Sequence, residues 1–139
     1  MNWLFFAFLS AVFAALTSIL AKIGIKNVDS NLATAIRTIV IVLFAWGIVF
    51  FQGTYKAIPS LSSYSLIFLI LSGLATGLSW LFYFRALQIG SASQVVPIDK
   101  LSLVLTIILA FLILKEKLTL NIIIGATLMT IGALFVAKG

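Results

Sequence analysis

Polar residues along this chain fall into short clusters, and between them lie five long apolar blocks. The blocks cover residues 3–21, 32–51, 66–87, 92–114 and 120–137. Each holds about 20 residues, the length a helix rising ~1.5 Å per residue needs to cross a hydrocarbon core ~30 Å thick. Inside lipid a backbone must satisfy its own polar groups, so the blocks predict α-helices. The clusters between them have the chemistry of helix ends. Gly24, Asn27, Asp29, Ser30 and Asn31 separate the first pair, and Gln52, Gly53 and Pro59 with residues 60–63 the second. Gly90, Ser91 and Ser93 precede the fourth block, and Lys115, Glu116 and Lys117 the fifth, with Thr119 as a candidate cap. The pattern predicts an all-α membrane protein: one domain over 1–139 with five transmembrane helices. The first block is read as a retained helix rather than a signal peptide, because no basic stretch precedes it.

One stretch disturbs the pattern. VVPIDKLS, residues 95–102, places Pro97, Asp99 and Lys100 in an otherwise apolar run. If the fourth helix began after Lys100, residues 101–114 would reach only about 21 Å, well short of the core. A start near Val95 gives a full span and puts both charges about one turn inside. Two readings stay open. Lys100 snorkels to the surface and Asp99 favours the start of a helix near Pro97, or the charges line a polar path. Pro97 lacks the N–H that would bond the Ser93 carbonyl, and interrupted helices of this kind recur at transporter binding sites.

Composition strengthens the membrane reading. The chain is 63% hydrophobic and 9% charged, against roughly 45–50% and 25% in soluble domains. It carries a net charge of +6. In such a chain Lys and Arg mark cytoplasmic loops, so no nucleic-acid partner is expected. Five spans put the termini on opposite faces. Lys56, Lys115 and Lys117 fall on the face of the N-terminus, and Lys22, Lys26 and Lys138 on the other. Arg37, Arg85 and Lys100, inside the spans near that second face, tip the balance toward placing it in the cytoplasm. The tie among loop lysines leaves insertion in both orientations open.

The charges near the second face predict a polar, net basic vestibule. Arg37 and Asp99 enter their helices from the same side and are expected at similar depths, where pairing lowers the cost of both. Arg37 then holds Asp99 charged or binds a solute carboxylate, Lys100 adds an anion site, and Asp99 is a candidate proton carrier. Arg85 ends the third helix there, and Trp80, Tyr83 and Phe84 form an interfacial belt or line a solute path, Trp80 and Tyr83 being the candidate lining residues. Gly73 and Gly77 make a GxxxG in the third block, and Gly125 and Gly132 a second close-packing face in the fifth. The chain has no His, no Cys and three carboxylates far apart in sequence. No enzyme, cofactor or metal site is expected.

RALQIGSASQVVPIDKLSLVLTIILAFLILKEKLTLNIIIGATLMTIGALFVAKG, residues 85–139, closely resembles the EamA domain of the drug/metabolite transporter superfamily. ATAIRTIVIVLFAW looks like the second helix of that domain. The resemblance implies a secondary transporter of a bacterial inner or archaeal plasma membrane, associated with export of amino acids and other metabolites. Many members carry two such domains in ten helices. This chain has one and implies a homodimer, antiparallel slightly favoured over parallel. The superfamily's four-helix multidrug members use a carboxylate in their first helix, and here that block has none. The alternative is a non-transporting membrane subunit, or a component of lipid-linked flipping that acts with a partner.

Overall fold

The computed structural model describes residues 2–139. It is 86% helical, with no strand among the described residues. Helices run α1 Trp3–Gly24, α2 Ser30–Gln52, α3 Ser63–Ile89, α4 Ala92–Asp99, α5 Ser102–Ile113 and α6 Leu120–Lys138, with a 3₁₀ segment Thr54–Ser60 between α2 and α3. Five stretches are long and apolar enough to cross a membrane, α4 and α5 together making the fourth.

The helix ends follow from local chemistry. The Asp29 carboxylate accepts from the N–H groups of Asn31 and Leu32 at 2.9 and 3.1 Å and starts α2. Gly53, at φ 71°, closes it, its N–H bonding the Phe50 carbonyl. Ser62 accepts from the Ser65 N–H at 3.0 Å, so α3 begins three residues earlier than the apolar block. Thr119 caps α6 through the Ile122 N–H, as the sequence predicts. At the end of α5 the Glu116 N–H reaches back to the Ala110 carbonyl, which places Lys115 at φ 56° in the left-handed region.

The chain divides into two compact units, residues 23–88 and residues 1–22 with 89–139. In the first, the side-chain amide of Gln88, near the end of α3, donates to the Val28 carbonyl at 2.9 Å. Phe84, Leu87 and Ile25 are its buried apolar residues, and Ser30 and Thr34 are buried with them. The Thr34 hydroxyl is satisfied by the Ser30 carbonyl one turn back, at 2.8 Å, which lets it sit among apolar atoms. In the second unit α4 packs on α6, and the Gln94 amide reaches the Ala137 carbonyl at 3.5 Å. Lys22 donates to the Gly90 carbonyl at 2.7 Å, holding the last turn of α1 to the start of the fourth span.

Elsewhere large apolar side chains face outward, up to 93% exposure at Phe51. An apolar surface of this extent is stable only against lipid or another protein. The small-residue faces belong to it. A Cβ added at Gly73, Gly77, Gly125 or Gly132 would meet no atom within 4 Å. Within their own units, then, these glycines make no close contact with another helix.

Candidate functional site

Arg37 is the eighth residue of α2 and lies about 10 Å along the helix from Ser30. Residues 30, 34 and 37 recur at helical spacing, so Ser30, Thr34 and Arg37 share one face. On α3, Trp80 and Phe84 are one turn apart, and both rings meet the guanidinium. Its central carbon sits 4.2 Å from the Phe84 ring centre and 5.8 Å from that of Trp80. Cation–π contacts of this kind contribute about 0.5–2 kcal/mol. Phe84 is 2% exposed and is itself held edge-on by Tyr83 at 5.4 Å. Arg37 Nη1 is buried and has no hydrogen-bond partner among the described residues. A buried donor without an acceptor costs about 1–3 kcal/mol, so this fold carries an arginine that its rings stabilise and its hydrogen bonds do not satisfy.

The opposite side of α3 builds a different feature. Leu78, Leu81, Phe82 and Arg85 line an open groove of about 470 Å³ with Asp29, Ser30 and Asn31. Arg85 donates to the Gln88 carboxamide oxygen at 2.8 Å, and Gln88 in turn donates to Val28. Arg85 is thus part of the bonding that holds the end of α3, on a different side of the helix from Trp80 and Phe84.

The fourth span carries the other charges. It runs Ala92–Ile113, so Asp99 and Lys100 lie within it, Asp99 as its eighth residue. The helix is interrupted at Lys100 and Leu101 rather than at Pro97, which stays inside α4. The bond pattern shows how. The Lys100 N–H still bonds the Val96 carbonyl at 3.2 Å, but Leu101 bonds Ile98 and Leu103 bonds Lys100, both at 3.0 Å and only three residues back. These tighter bonds take the donors that a continuous helix would give to the carbonyls of Pro97 and Asp99. Beside them the Lys100 ammonium and the Asp99 carboxylate pair at 3.4 Å, with side chains 55% and 33% exposed.

Arg37 and Asp99 belong to different units, and each has its own neighbours: aromatic rings for Arg37, Lys100 for Asp99. Of the aromatic residues singled out from the sequence, Trp80 meets Arg37 directly, and Tyr83 lies within electrostatic reach of it. Phe84 makes the closer of the two ring contacts to Arg37. It follows Trp80 by four positions and so shares its helix face; that Arg37 meets this face is set by tertiary packing.

Comparison with known proteins gives this geometry a context. A protein of Sinorhizobium sp, described as an "Uncharacterized transporter in cobO 3'region", is 46% identical over 136 residues, covering 98% of this chain and 96% of its own. No solved structure matches the chain significantly. The sequence profile of the EamA-like transporter family matches residues 1–138. That extent takes in all five spans, and the chain belongs to the EamA-like transporter family.

Proposed function

We propose that this membrane transporter is a secondary carrier, exporting a small metabolite such as an amino acid by alternating access in a homodimer. The single domain would supply half of a ten-helix carrier, in a cell inner membrane. The observation that carries the reading is the broken fourth span. A plain anchor gains nothing from an interrupted helix with an ion pair beside it, whereas carriers use such breaks to present backbone carbonyls and charges to a solute. Asp99 is the candidate coupling group and Lys100 an anion-binding one. Arg37, with Trp80 and Tyr83, supplies a second polar position, and Arg85 adds positive charge at the end of α3. The outward-facing Gly73 and Gly77 support a second copy as the partner that covers α3.

Reconstitution tests this directly. Proteoliposomes holding the parent should accumulate label from a mixture of ¹⁴C-amino acids under an imposed proton gradient. Asp99→Asn and Lys100→Met should each reduce that rate roughly ten-fold or more, the size expected when a charge-assisted contact is lost. Undiminished transport by both variants would remove these residues from the mechanism.

A further inference from the structure

The transporter reading leaves the chemical class of the solute open, and the surroundings of Arg37 narrow it. A guanidinium is planar. Its faces attract aromatic rings, and its edges donate hydrogen bonds in the plane. Here the Phe84 and Trp80 rings are drawn to the ion, and Tyr83 is set edge-on against Phe84. At one edge Nη1 is buried and unbonded among the described residues. On the same helix the hydroxyls of Thr34 and Thr38 are each spent on a carbonyl one turn back, at 2.8 Å. A cation whose rings are in place and whose in-plane donor lacks an acceptor fits an oxygen anion approaching along its edge.

Resting on the transporter reading, we propose that Arg37 is an oxyanion-binding point, completed by a carboxylate or phosphate group that hydrogen-bonds Nη1. Since Nη1 is buried, whatever covers it must move to admit the ligand, and Trp80, beside the ion, reports the event. The oxyanion has two sources, a water-soluble solute and the phosphate of a lipid headgroup.

The test uses full-length protein in neutral detergent with Trp3→Phe and Trp46→Phe, so that Trp80 is the remaining tryptophan. Its fluorescence and the thermal midpoint are followed against free amino acids, their methyl esters, inorganic phosphate and dihexanoyl-phosphatidylglycerol. The acids should bind roughly ten-fold or more tightly than their esters. Arg37→Gln should abolish the difference, while Arg37→Lys, keeping charge but losing the planar edge, should retain part of it. Should Arg37→Gln fail to fold, the acid–ester comparison on the parent still decides. A response to phosphate or acids assigns the soluble source; a response to the lipid analogue alone assigns the headgroup. Acids and esters that both bind with equal affinity, or no Arg37-dependent response to any probe, the lipid analogue included, overturns the proposal. Transport that continues unchanged in Arg37→Gln would leave the carrier reading standing and refute the oxyanion site. Arg37-dependent binding without transport would do the reverse.

Discussion

At the scale of single residues, two helix ends make quantitative demands. Lys115 occupies the left-handed region at φ 56° so that Glu116 can close the end of α5 on Ala110. An L side chain there is disfavoured by about 1–2 kcal/mol, a cost glycine does not bear. Lys115→Gly should therefore raise the thermal midpoint of the purified protein, by an amount reflecting ~1 kcal/mol, and a lowered midpoint would contradict the assignment. Asp29 makes the complementary case. Its carboxylate satisfies two backbone donors at the start of α2, and Asp29→Ala should cost about 1 kcal/mol, recovered in Asp29→Asn. Asp29 was legible from the sequence because capping is local: an acid just before an apolar block suffices. Lys115 was not, since a lysine carries no propensity for positive φ and only the back-bond from Glu116 to Ala110 requires it.

At the scale of the helix, the fourth span separates the cause of a break from its position. The sequence places the fault at Pro97, where an N–H is missing. The structure keeps Pro97 helical, and the helix breaks three residues later, where the bonds shorten to three-residue steps around Lys100 and Leu101. Pro97 removes the bond to the Ser93 carbonyl, on its N-terminal side, and the three-residue bonds lie on its C-terminal side, next to two charged side chains. Pro97→Ala restores the donor to the Ser93 carbonyl. It should make α4 and α5 more nearly continuous, stabilising the protein by up to ~3 kcal/mol in thermal unfolding, while lowering transport several-fold. A variant both more stable and fully active would show that the interruption serves no function. The apolar spans were readable because their period and length are statistical properties of many residues. The meeting of Arg37 with Phe84 depends on how two helices turn toward each other, and no local pattern encodes that.

At the scale of the whole molecule, what matters is how the outward-facing surface is covered. Gly73 and Gly77 lie on α3 with no atom within 4 Å of where a Cβ would sit. The face has room for a Cβ, and a larger side chain on it would obstruct a partner helix that approaches closely. Gly77→Ile should thus leave the helical content of the monomer unchanged while weakening a dimer at least ten-fold in a dilution series followed by light scattering. An unaltered dimer would move the interface elsewhere. The loop lysines tie three to three between the two faces, and only Arg37, Arg85 and Lys100, inside the spans, tip the count. A chain with so small a bias can insert either way. Because it lacks cysteine, single cysteines at uncharged positions can report the outcome: Asn27→Cys in the first loop and Thr54→Cys in the second. In intact cells an antiparallel population labels partially at both positions with an impermeant maleimide, whereas a parallel one labels at only one. Two further variants sharpen the contrast. Lys56→Gln removes charge from one face, and Lys26→Gln removes it from the other, so the two are biased in opposite senses. For an antiparallel dimer each variant alone should lose most transport, for want of oppositely inserted partners, and co-expression should restore it. If each is fully active alone, the two copies face the same way and the near balance of charge has no role in assembly.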